Sequence, residues 1–179
     1  GKTMAFRRLT LFLDELIGES SGVQGADGIL GFYLNCRDIV EAFPYIPTRF
    51  AETKRRQVIH FFHLSWLQEI FRAFGQRKLQ ESMSYEWLYQ WMEKTFQEKF
   101  RKPTLAGVDA LTYVSNFISD EKEVCRSTPL GKVSRWPLDR IDLLDDFYLT
   151  ASKNTPWMQG KPFFFFLDDY TIPLLSEQL

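Results

Sequence analysis

Two stretches of this chain hold residue types whose spacing could do chemistry. Gly1-Lys2-Thr3 opens it, and Phe163-Phe164-Phe165-Phe166-Leu167-Asp168-Asp169 stands near its other end. A lysine that follows glycine just before a helix can reach the β- and γ-phosphates of a nucleotide. A threonine hydroxyl beside it can ligand Mg²⁺. Only the last positions of the motif G-x-x-x-x-G-K-[ST] are present, and the competing reading is a solvated terminus. The second stretch is more specific. An uninterrupted run of Phe and Leu reads as a buried strand, and carboxylates at its end are costly unless a cation or hydrogen-bond donors meet them. At the carboxyl end of a parallel strand they would enter the crevice where sheets of this kind bind ligands. Asp168 would then hold the metal and Asp169 would orient or deprotonate water. The bland alternative is an Asp-rich turn.

Other chemistry-bearing residues favour structural readings. His60 and His63 stand at i, i+3 in a helical pattern, a spacing that could share one metal, but Phe61, Phe62 and Trp66 around them point to core histidines. Lys54-Arg55-Arg56, with Arg49, reads as a solvated helix face rather than a phosphate site. Trp87, Trp91 and Phe96 form an aromatic stripe that packs inward by default; left exposed it would mark a protein-binding surface. Cys36 and Cys125 lack metal-type spacing and read as reduced thiols of a cytoplasmic protein.

These residues need elements to position them. Apolar positions Phe6, Leu9, Leu13 and Leu16 recur at helical spacing, which predicts a helix from about Thr3 to Ile17, followed by a Ser/Gly-rich loop over 19–28. Gly28 to Ile39 is a nearly continuous apolar run and reads as a strand buried on both faces. Long amphipathic helices are expected from about Thr48 to Phe74 and from Ser84 to Phe100, with a shorter one over Leu105 to Ile118. Residues 121–136 read as turns, Pro137 to Ala151 as a helix, and Lys153 to Lys161 as a loop. Pro162 introduces the Phe-rich strand, Pro173 ends it, and a final helix begins near Leu174.

The expected fold class is therefore α/β: a partial parallel sheet with a mainly helical insertion over about 48–120, in one domain spanning 1–179. The chain has 179 residues, 45% hydrophobic and 25% charged, with a net charge of −1. That balance gives no electrostatic case for nucleic acid or an anionic membrane. No apolar stretch approaches the roughly 18 residues of a membrane helix.

Gly1-Lys2-Thr3 running into Met4-Ala5-Phe6-Arg7-Arg8-Leu9, together with Gly160-Lys161-Pro162 and the Phe163–Asp169 strand continuing to Tyr170, resembles P-loop NTPases of the AAA+ type. The likeness is to the replication-initiator-like (origin-recognition type) ATPases of bacterial defence and mobile elements. It covers the two ends and says little about 40–150. The resemblance implies ATP and Mg²⁺ as cofactors, with Gly1, Lys2 and Thr3 on the phosphates, Thr3 and Asp168 on the metal, and Asp169 in the catalytic carboxylate position. That position is usually Glu, so Asp169 is one methylene short. The resemblance also implies that Leu30–Cys36 pairs in parallel with Phe163–Leu167, and that the chain is an N- and C-terminally truncated piece of a domain. Such a piece would expose an apolar strand edge and call for a protein partner or a second copy. The function expected of the full-length parent is an ATP-binding and ATP-hydrolysing module that switches a larger assembly, with this chain alone expected to be inactive. The alternatives are a non-enzymatic helical interaction module worked by the aromatic helices, or a nucleotide-binding pseudo-ATPase.

Overall fold

The computed structural model describes residues 30–43, 52–78, 84–104, 107–140 and 142–168. The expected helix over 3–17, the loop over 19–28 and the segment after Pro173 lie outside the described residues.

Strand β1 spans Leu30–Asn35 and strand β2 spans Phe163–Asp168. Between them run five α-helices among the described residues: α1 (Arg37–Ala42), α2 (Glu52–Lys78), α3 (Trp87–Phe96), α4 (Ala110–Ser127) and α5 (Leu143–Asn154). Short 3₁₀ turns at Gln97–Lys99 and Pro156–Met158 follow α3 and α5.

The expected α/β class is corrected by this arrangement. The described residues are mostly helical, and their strands are two, in a single pair. Helical periodicity extends from 37 to 154, well beyond the insertion expected over 48–120. The strand pair is an appendage to a helical body rather than a sheet sandwiched between helices. Its register nonetheless agrees with the expected pairing: β1 and β2 run parallel, Leu30 opposite Phe163 and Asn35 opposite Asp168.

The centre of the body is α2. Its apolar residues do not keep to one stripe: His63 through Leu67 are all buried, as are Phe61, Ile70, Phe71 and Phe74. A helix buried nearly all round lies inside a bundle rather than on its surface. α4 packs along it, β1 and α1 cover another side, and α3 and α5 close the aromatic end. At that end Phe147 of α5 touches four rings, Phe71, Phe74, Trp87 and Trp91, with centroids 4.9–6.2 Å away. Trp91 and Phe96 are buried and Trp87 is half-buried, so the aromatic stripe is core. A polar staple joins the same helices: Asp146 of α5 accepts from Trp91 Nε1 and Lys94 Nζ, each at 3.2 Å. Burial alone would raise the Asp146 carboxyl, but these two hydrogen bonds and the charges of Lys94 and Arg140 hold it below the usual range.

Several element boundaries differ from the sequence expectation for local reasons. The strand over 28–39 stops at Asn35 because the Asn35 side chain accepts the Arg37 N–H at 2.9 Å, turning the chain into α1. The helix expected over 105–118 starts at Ala110, where Asp109 caps it by accepting from the Thr112 N–H at 2.9 Å, and continues to Ser127. Asp120 and Glu123 are exposed on it, Glu121 is mostly covered beside Lys99, and Cys125 is fully buried. The helix expected from Pro137 begins only at Leu143. Pro137 and Leu138 form a turn instead, held from below by α2.

Candidate functional site

Asn35 and Asp168 end the two parallel strands side by side, at the carboxyl edge where α/β crevices form. Cys36, buried, and then α1 follow directly from that edge. Asp168 is thus placed, by its backbone, at the strand end that the sequence reading required. Gly1, Lys2, Thr3 and Asp169 lie outside the described residues. Among the described residues no group of three or more His, Cys, Asp or Glu side chains is gathered as a metal site.

The most elaborate polar arrangement lies elsewhere, on the N-terminal half of α2. Gln57, His60 and His63 recur every three residues, and all are buried. Each reaches across to backbone far along the chain. Gln57 Nε2 donates to the carbonyls of Cys125 at 3.0 Å and Thr128 at 2.8 Å, while its Oε1 accepts the Gly131 N–H at 3.0 Å. Gly131 takes φ +82°, and a Cβ there would stand 3.0 Å from Lys54 Cγ. Glycine at this turn therefore answers to both backbone conformation and space.

The histidines grip a single residue. The Leu138 N–H donates to His60 Nδ1 at 3.2 Å, and the Leu138 carbonyl accepts from His63 Nδ1 at 2.6 Å. A backbone N–H can only donate and a carbonyl can only accept, so the two rings must be opposite tautomers: His60 carries its proton on Nε2, His63 on Nδ1. His60 also stacks on Trp136, centroids 4.9 Å apart. Burial, then the Lys99 ammonium and the neighbouring His63, push His60 down to about 3. Burial lowers His63 as well, against the Leu138 carbonyl and Asp139, which favour its charged form. The core-histidine reading holds, and in place of a metal each ring binds one peptide group.

Beside this ladder a groove of about 620 Å³ opens between the start of α2, the turn after α3 and residues 135–140. Arg56, Lys99, Arg135 and Arg140 face Glu52, Glu98 and Asp139 across it. Arg56 lies 3.2 Å from Glu52 and 3.8 Å from Asp139, and Lys99 lies 3.2 Å from Glu121. The groove has no field of one sign and selects no charged ligand by itself. Of the basic run on α2, Arg55 is exposed and Arg56 is paired, as expected of a solvated face. Both cysteines are buried and neither is in a disulfide, and burial, with the Glu121 charge, pushes the Cys125 thiol up to about 12. That leaves it a poor nucleophile near neutral pH.

The Gln57–His60–His63 ladder was not anticipated from sequence. Its signal is weak but present: three polar residues at i, i+3, i+6 inside an otherwise apolar helical pattern. Among the described residues no helix is long and apolar enough to cross a membrane. No protein-family model, curated protein or solved structure matches the chain.

Proposed function

We propose that the protein is a magnesium-dependent ATP-binding and ATP-hydrolysing module that switches a larger assembly. The observation that carries this reading is the parallel register of β1 and β2, which sets Asp168 level with Asn35 at one carboxyl edge. Segments so far apart in sequence pair in parallel only when the intervening chain crosses back over the strands, and here α1 to α5 make that crossover. On this reading the Gly1-Lys2-Thr3 backbone and the Lys2 ammonium hold phosphate oxygens, and the Thr3 hydroxyl and Asp168 carboxylate hold Mg²⁺. The bound ion neutralises charge on the phosphates, while Asp169 orients water for in-line attack. The shorter reach of Asp169 compared with Glu limits turnover more than binding. The partner is a protein or a second copy of the chain.

The interaction-module alternative has less support, because Trp91 and Phe96 of its proposed working surface are buried in the core. Calorimetric titration with ATP and Mg²⁺ tests the favoured reading. Binding is expected for the protein, and a loss of at least about 100-fold for Lys2→Ala, the cost of removing a charge-assisted contact to phosphate. Asp169→Glu is expected to leave affinity unchanged and raise turnover. Undetectable binding by the unsubstituted protein would end the proposal.

A further inference from the structure

Independently of the nucleotide reading, we propose that His60 and His63 form an acid-released latch on Leu138, in which only the His60 jaw opens on protonation. The asymmetry follows from the tautomers. His60 holds the Leu138 N–H through an unprotonated Nδ1 at 3.2 Å, so a proton gained there turns an acceptor into a donor facing a donor. His63 already donates from Nδ1 to the Leu138 carbonyl at 2.6 Å. A proton added to its Nε2 leaves that bond intact.

The surroundings do not rescue a charged His60. From α2 it faces His63, from the turn after α3 it faces Lys99, and both oppose a second positive charge. From α4, among the described residues, the Glu121 carboxylate comes nearest, its Oε2 at 4.0 Å from His60 Nε2, beyond hydrogen-bond distance and already taken by Lys99 at 3.2 Å. From the loop, Asp139 acts on His63 and lies 3.8 Å from Arg56. His60 Nε2 is buried with no hydrogen-bond partner, so the ring has no second anchor when the first fails.

What the latch holds is one wall of the groove. Arg135, Trp136, Pro137, Asp139 and Arg140 line it, and Leu138 is where backbone hydrogen bonds pin their segment to α2, beside the Trp136 stack on His60 and the Arg56–Asp139 pair. Gln57 pins the same segment further upstream at Gly131, through an amide that does not titrate. Acid therefore releases the Leu138 N–H, while the His63 bond to the Leu138 carbonyl and the anchor at Gly131 stay closed. The sign of the effect is fixed. His60 is depressed in the latched state, so the latch is at full strength above the ordinary histidine pKa of about 6.5 and weakens as pH falls toward about 3. The open fraction rises by up to about tenfold per pH unit across that window.

Hydrogen–deuterium exchange resolved to single amides tests this between pH 7.5 and pH 5, after correction for intrinsic rates. The expected result is a loss of Leu138 protection of about thirtyfold, with Leu138 less protected at both pH values than the α2 amides of Leu64 to Ile70. His60→Asn, which keeps an acceptor that does not titrate, is expected to flatten the response at Leu138, and His63→Asn to retain it. Should His60→Asn not fold, ¹⁵N spectra of the unsubstituted protein serve instead: proton gain at His60 Nδ1 must track the loss of Leu138 protection. Protection at Leu138 that is constant with pH overturns the proposal. So does Leu138 exchange at the same rate as the α2 amides at both pH values, or loss that persists unchanged in a folded His60→Asn protein.

Discussion

Replacing Phe147 by Ala is expected to destabilise the protein by about 4 kcal/mol, the upper range for truncating a fully buried aromatic ring. Phe147 is 0% exposed, and it fills the space where α2, α3 and α5 meet. Its ring contacts are distributed over helices α2 (Phe71, Phe74) and α3 (Trp87, Trp91), so no one neighbour can move in to close the gap. Interiors packed near crystal density relax only in part, and the residual cavity adds to the lost transfer energy. For a chain of this size that loss lowers the melting temperature by roughly 12 °C. Leu149, two residues along the same helix, is 57% exposed, and Leu149→Ala should change stability by less than about 0.5 kcal/mol. Thermal and denaturant unfolding of the two variants checks the contrast. Similar effects from both would contradict the assignment of Phe147 as the hub of the aromatic end.

Gln57→Leu is expected to cost about 3 kcal/mol although it puts a more apolar side chain into a buried position. The amide is 0% exposed and uses its Nε2 and Oε1 on three backbone groups, at Cys125, Thr128 and Gly131. Leucine matches the volume but leaves the Gly131 N–H and the Thr128 carbonyl without their partner. Each orphaned group costs about 1–3 kcal/mol, less whatever the segment recovers by shifting toward water. The damage should also be local. Amide exchange at Gly131 should rise sharply, while α3 and α5, which do not contact Gln57, keep their protection. A loss below about 1 kcal/mol, or one spread evenly over the helices, would mean that the ladder does not hold the 128–140 segment in place.

The two sites differ in how far the sequence discloses them. Phe147 belongs to an apolar pattern at helical spacing, and periodicity alone marks its helix, though Pro137 pulls the expected start several residues too early. Pro137 suits a helical first turn. Nothing local to it reveals that histidines far back in the sequence already hold the next residue. The same limit applies to Gln57, whose partners lie beyond 120. Pattern reading ranks a glutamine in a helix as surface unless a motif claims it, and Gln57 is buried because its bonds are long-range; the two histidines read as core from their aromatic neighbours, but not their shared partner. Acidic residues at 120–123 mislead in the opposite direction. They read as a turn, but they continue a helix on which Asp120 and Glu123 are exposed, Glu121 turns inward toward His60 and Lys99, and Cys125 is buried.

For the strands, the apolar runs carry the local state, and the parallel pairing of 30–35 with 163–168 agrees with what the family resemblance implied. The fold class fails because it was extrapolated from those two runs to a whole sheet. The described chain between them spends its apolar residues on helix–helix contact around α2. Of the candidate nucleotide site, only the position of Asp168 at a strand end can be compared with the structure.

The most direct test of the proposed function is the magnesium dependence of ATP binding in the protein and in Asp168→Ala. The account predicts that Mg²⁺ tightens ATP binding by the protein by at least about tenfold, and that Asp168→Ala still binds ATP through Lys2 but gains nothing from the metal. Equal magnesium enhancement with and without the Asp168 carboxylate would contradict it.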